Sequence, residues 1–151
     1  MRRSTIAFAI GAAFAATGCG SDALAPAALD TGHDVCAFCR MIVSDRRFAS
    51  QIVAPLEEPT FFDDLGCLAN YLRDAGQLPR AVVYVTDHST LQWVRGDQAV
   101  FTRVDTPGAP MGSHVVAHAS RETRAADPAA RAGTPVATRE LFPAGLPGGP
   151  R

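Results

Sequence analysis

The stretch Cys36-Ala37-Phe38-Cys39-Arg40-Met41 restricts most strongly what this chain can become. It places two thiols and a thioether close together, and such soft donors select copper(I) or zinc over hard cations. A Cys-x-x-Cys pair also marks disulfides, redox centres and zinc half-sites. The rest of the chain has to decide between a bridge, a redox pair and a metal site.

The N-terminus carries Arg2 and Arg3 ahead of an apolar run from Ile6 to Ala16. That run is too short to cross a bilayer and has the form of a signal-peptide core. Ala16-Thr17-Gly18-Cys19 resembles a bacterial lipobox, although Ala16 stands where Leu is usual. Residues 1–18 are therefore expected to be a lipoprotein signal peptide, with Cys19 lipidated as the first mature residue. The expected location is the periplasm, with the protein anchored to the membrane through that lipid. Lipidation leaves three of the four cysteines. An odd number of thiols in an oxidising compartment fits poorly with a pure disulfide framework, so a metal is invited. The net charge of −1 gives no electrostatic case for binding nucleic acid.

Residues 19–33 are rich in Ala, Pro and Gly without periodicity and read as a flexible tether. The first folded unit, residues 34–87, has strands expected at 48–53 and 60–62. Asp63 and Asp64 then open a helix, where a carboxylate can cap it and suits the dipole. Leu65, Leu68 and Leu72 form one apolar stripe, Gly76 is the expected C-cap, and Ala81 to Val85 is a third strand. A second round, residues 88–142, repeats the order. Strands are expected at 91–94, 99–104 and 114–118. A helix follows, capped by Ser120 and interrupted by Pro128, with a closing segment from Val136 to Phe142. Residues 143–151, rich in Pro and Gly, are expected to be a disordered tail. The fold class is α+β: two small tandem β-β-α-β units in one compact domain.

Cys-x-x-Cys-x-Met-Ile near the mature N-terminus, Phe62-Asp63-Asp64-Leu65-Gly66-Cys67-Leu68 at the helix start, Trp93, and Pro110-Met111-Gly112 followed by Val116-Ala117 together resemble the NosL family. The likeness runs from about His33 to Phe142. It implies a copper(I)-binding lipoprotein, an accessory protein of nitrous oxide reductase, built from two β-β-α-β units. Carried over residue by residue, it implies that Cys39, Met41 and Met111 hold the metal, with Cys36 beside them. Cys39 and Met41 would share one strand face if their segment is extended. His114 and Cys67 are further candidates; the first turn of a helix can lower a thiol pKa, but a small buried cysteine is the preferred reading of Cys67. His33 and Asp63 are weaker ones, Asp63 being accounted for as a helix cap. The implied partner is the copper-receiving apo-enzyme or its maturation transporter complex.

Two departures stand out. The family usually has Gly where this chain has Arg40, and a usual Gly-Gly near the end of the second unit is Ala132-Gly133-Thr134 here. Two other functions use the same sulfurs. Cys36, Cys39 and Cys67 with a histidine would make a structural zinc site. Cys36 and Cys39 alone would make a thiol–disulfide oxidoreductase, although the β-leaning Met41-Ile42-Val43 argues against the helix N-terminus that such chemistry uses. No Ser-His-Asp arrangement, phosphate loop or paired catalytic carboxylates can be argued from the sequence, so catalysis is not expected.

Overall fold

The computed structural model describes residues 24–76, 78–105 and 108–148. The expected signal peptide and Cys19 lie outside them. Among the described residues, no helix is long and apolar enough to cross a membrane.

The chain forms two antiparallel sheets of the same design. In the first, β1 (Ser50–Val53) pairs with β2 (Thr60–Phe62) on one side and β3 (Val82–Thr86) on the other, with α1 (Leu65–Ala75) between β2 and β3 in sequence. In the second, β5 (Val100–Arg103) lies between β6 (Val115–His118) and β7 (Thr134–Val136), with helices α2 (Arg121–Ala126) and α3 (Pro128–Arg131) before β7. The first three strands of each unit thus take the same order, with the first strand central: β2-β1-β3 and β6-β5-β7. The expected α+β architecture of repeated β-β-α-β units is the one observed.

One expected strand changes sides. The segment read as the first strand of the second unit is β4 (Trp93–Arg95), and it pairs antiparallel with β3, extending the first sheet. Its connection to β3 is held by Asp87. Oδ1 of Asp87 accepts from Ser89 N–H, Ser89 Oγ–H and Thr90 N–H at 3.0, 2.8 and 3.0 Å. Such an Asx-type turn folds the chain back locally, so the nearest strand becomes the partner. Oδ2 of Asp87 reaches into the second unit and accepts from Ala119 N–H at 2.7 Å. A bridge between Asp87 and Ala117 and a bond from His88 N–H to Ala117 O join the two sheets there.

One apolar core serves both units. Phe62, Leu68, Leu72, Val83 and Val85 from the first meet Phe101, Val115, Ala117 and Phe142 from the second. Leu65, Leu68 and Leu72 are the buried stripe of α1, as their spacing predicts. Asp64 alone caps that helix, accepting from Gly66 N–H at 2.6 Å. Asp63 is instead turned to Ser44, whose N–H it accepts at 3.3 Å. At the other end Gly76 takes the positive φ of a C-cap. The second helical segment breaks at Asp127, ahead of Pro128, because proline carries no N–H and Asp127 recaps the new turn through Ala129 N–H at 2.8 Å. Ser120 caps α2 in a reciprocal capping box with Thr123. The closing segment is short β7 followed by α4 (Thr138–Leu141).

Both ends of the described residues lie against the first sheet. Gln51, fully buried in the central strand, exchanges bonds with Ala27: its Oε1 accepts from Ala27 N–H at 2.8 Å and its Nε2 donates to Ala27 O at 3.1 Å. Tyr84 O–H donates to Leu24 O, and Ala27 and Leu29 pack on the core. The described part of the expected tether is therefore held. At the other end Leu146 packs on the core, and Arg95 Nη2 donates to Gly148 O at 2.9 Å.

Candidate metal centre

The Cys-x-x-Cys segment is a tight hairpin. Val35 and Ile42 form an antiparallel bridge, Cys36 N–H donates to Met41 O at 2.8 Å, and Arg40 N–H donates to Cys36 O at 3.0 Å. Residues 37–39 are a turn, not a strand, so the expected shared strand face of Cys39 and Met41 does not exist. The hairpin is tied to β2 by Ala37 N–H donating to Phe61 O at 2.9 Å. Two residues after β2 comes the start of α1, and its first turn carries Cys67. That connection brings the third thiol to the first two. The sulfurs of Cys36, Cys39 and Cys67 all lie within 4.8 Å of one another, and none is in a disulfide. Cys36 and Cys67 are buried, whereas Cys39 is half-buried.

Their environments differ. Burial pushes the Cys36 thiol up, but the backbone N–H groups of Cys39, Asp63 and Phe38 at its sulfur outweigh it, and the net effect is a lowered pKa. Cys39 is raised, first by burial and then by the Cys36 sulfur beside it. Cys67 is pushed far up by burial and by the charge of Cys36 and Cys39. Cys67 is the small buried cysteine that the sequence favours, and burial together with two neighbouring sulfurs outweighs the helix dipole. A cation placed among the three supplies the missing positive charge, so the cluster favours a soft metal over three free thiols.

The remaining candidates lie around or away from this cluster. Met41 and Met111 are both about half exposed, at 54% and 46%. Met111 occupies a turn closed by Gly112 N–H donating to Ala109 O at 3.0 Å. This turn is brought to α1 through Ser113: a Cβ on Gly66, next to Cys67, would lie 3.0 Å from the Ser113 Cβ. Glycine at 66 is thus what lets the second unit approach the helix start. His114 is exposed, with φ +54°. His33 is exposed and paired with Asp30 at 2.9 Å. Neither histidine joins the cysteines.

Arg40 occupies a backbone position that favours glycine. Its φ is +65°, the left-handed region that disfavours side chains. Its side chain borders a surface hollow of about 360 Å³ together with Asp34 and Glu58. Arg40→Gly is expected to stabilise the fold by about 1 kcal/mol. Thermal unfolding checks this, and a lower midpoint in the variant would mean that the arginine's contacts with the acidic rim outweigh its backbone strain.

Sequence reasoning missed a second cluster altogether. His88, His118 and Asp127 converge with ligand atoms within 4.8 Å. The histidines lie thirty residues apart, at no spacing that signals a site. The one cue was Asp127 ahead of Pro128, a helix start.

In comparison with known proteins, the family model described as NosL matches residues 26–141. No curated protein and no solved structure matches the chain.

Proposed function

The chain belongs to the NosL family, and from that premise we propose that it is a copper(I) carrier rather than an enzyme, delivering copper for assembly of a periplasmic copper enzyme, with nitrous oxide reductase as the favoured client. The observation that carries this reading is the three-sulfur cluster of Cys36, Cys39 and Cys67, which is compatible with copper binding. Thiolates are soft donors that suit copper(I), and the Cys36 sulfur is already biased to the thiolate form.

The cluster has the asymmetry a carrier needs. Cys36 and Cys67 are buried and hold the ion, while half-buried Cys39 is where an incoming ligand exchanges. Val35, Phe38, Met41 and Ile42, all exposed on the same hairpin, offer an apolar rim to the receiving protein. Met41 and Met111 supply thioethers for the ion as it enters or leaves. In this reading Cys19 carries the lipid that keeps the carrier at the periplasmic face of a membrane.

The competing uses of the same sulfurs fit less well. An oxidoreductase needs its most acidic thiol exposed to attack, and here that thiol, Cys36, is fully buried. A closed structural zinc site needs a fourth ligand, and among the described residues no histidine joins the three cysteines.

Copper(I) titration of the reduced protein against a chromophoric chelator tests the reading. One copper(I) per chain is expected, with the Cys39→Ala/Met41→Ala variant holding it far more weakly. Equal retention by variant and wild type, or stoichiometric zinc held through thiolate bonds to the three cysteines in protein purified without added copper, would sink it.

A further inference from the structure

We propose that His88, His118 and Asp127 form a second metal site, sharing no residue with the cysteine cluster, that takes a divalent transition cation of the zinc type. The three side chains come from both units. His88 follows β3, His118 ends β6, and Asp127 sits at the break between α2 and α3. Asp127 Oδ2 is the point of convergence, 2.6 Å from His88 Nδ1 and 3.0 Å from His118 Nε2. Ligands around a tetrahedral zinc ion, with bonds of about 2.0–2.1 Å, lie about 3.3 Å apart. The two separations from Asp127 Oδ2 therefore need only widen slightly to admit the ion, and all three atoms already lie within 4.8 Å of one another.

The surroundings hold each ligand in place. Oδ1 of Asp127 is engaged by Ala129 N–H at 2.8 Å, which leaves Oδ2 for the centre. His88 N–H donates to Ala117 O at 2.9 Å, so the backbone of one histidine is bonded to the residue next to the other. Phe48 stacks edge-on against the His88 ring with centroids 5.4 Å apart. The side chains of His118 and Asp127 are 0% and 6% exposed and that of His88 is 11% exposed, so an ion enters past His88.

The donor set decides the ion. Two imidazoles and a carboxylate are borderline ligands, unlike the thiolates of the first site, and they leave a position open for water. A metal on Nδ1 of His88 and Nε2 of His118 leaves the ring N–H of each on the far nitrogen. In His88 that nitrogen is Nε2, on the ring that borders solvent. In His118 it is Nδ1, which is buried without a partner. Only a cation that binds imidazole strongly offsets that burial, which selects zinc and its transition-metal neighbours over magnesium or calcium.

Cobalt(II) is the probe, because thiolate and nitrogen–oxygen sites give different spectra. Titrated into the reduced full chain, it should produce ligand-field bands free of thiolate charge transfer. These should persist in Cys39→Ser and weaken at least tenfold in His88→Gln and Asp127→Asn, with added zinc(II) displacing the cobalt. In the unaltered protein, zinc(II) should move the ring signals of His88 and His118 in nuclear magnetic resonance and spare His33 and His114. The proposal is overturned if all cobalt absorption carries thiolate character. It is equally overturned if His88→Gln binds as wild type does, or if zinc(II) leaves the signals of His88 and His118 unmoved.

Discussion

Cys36→Ser is expected to lower copper(I) affinity about 1000-fold, or about 4 kcal/mol, while leaving the protein folded. Serine fits the same small space, and its hydroxyl accepts from the backbone N–H groups of Cys39, Asp63 and Phe38 that otherwise face the sulfur. What it lacks is a soft, readily ionised donor. Cys36 is also the thiol of the trio whose pKa is lowered, so its loss removes the sulfur that gives up its proton to the metal most readily. Cys67→Ser should cost less, because that thiol is pushed up and joins only as the metal displaces its proton. Competition against a copper(I) chelator at fixed pH measures both. Affinity within tenfold of wild type for Cys36→Ser would show that the ion sits elsewhere, on the exposed methionines for example.

Asp87→Ala should destabilise the fold by about 3–4 kcal/mol, the cost of stranding several donors around a removed buried charge. Asp87 is fully buried and accepts from Ser89, Thr90 and Ala119, binding the β3–β4 turn to the second unit. Asp87→Asn should recover only part of this, since an amide offers one oxygen where two are used. Burial would raise the Asp87 carboxyl, but the N–H groups of Ala119 and Thr90 and the Ser89 hydroxyl outweigh it and hold it below the usual carboxylate range. A depressed carboxylate lends stability that is fully present above about pH 4 and is lost as pH falls through its lower folded value. Denaturant unfolding should therefore show wild type losing stability more steeply below about pH 4 than Asp87→Asn does. Parallel curves would mean that another group controls the acid limb.

These two residues mark the limits of what the sequence discloses. The order of strands and helices was legible, because alternation, the Leu65-Leu68-Leu72 stripe and the caps at Asp64, Gly76 and Ser120 are local signals. The side of the molecule that β4 joins was not, because pairing depends on the turn that Asp87 closes. Cys36 and Cys39 announced themselves by spacing. Cys67 was legible as a possible third sulfur only through the zinc alternative, since it is the stacking of the helix start on the hairpin that brings it there. That same proximity adds to burial in raising its thiol pKa. The His88, His118 and Asp127 group is wholly tertiary, assembled by the seam between the sheets.

The exchange between Gln51 and Ala27, with Tyr84 on Leu24, also sets a length. If Cys19 carries the lipid, as we propose, the span from it to Leu24 can reach at most about 18 Å at 3.3–3.6 Å per residue. A tether loose as far as His33 would have allowed about 50 Å. A lipid on Cys19, as proposed, would keep the body within the shorter reach of the headgroups. A receiver drifting in the periplasm would have to come to the bilayer to collect its ion, whereas one embedded there would meet the carrier at high local concentration.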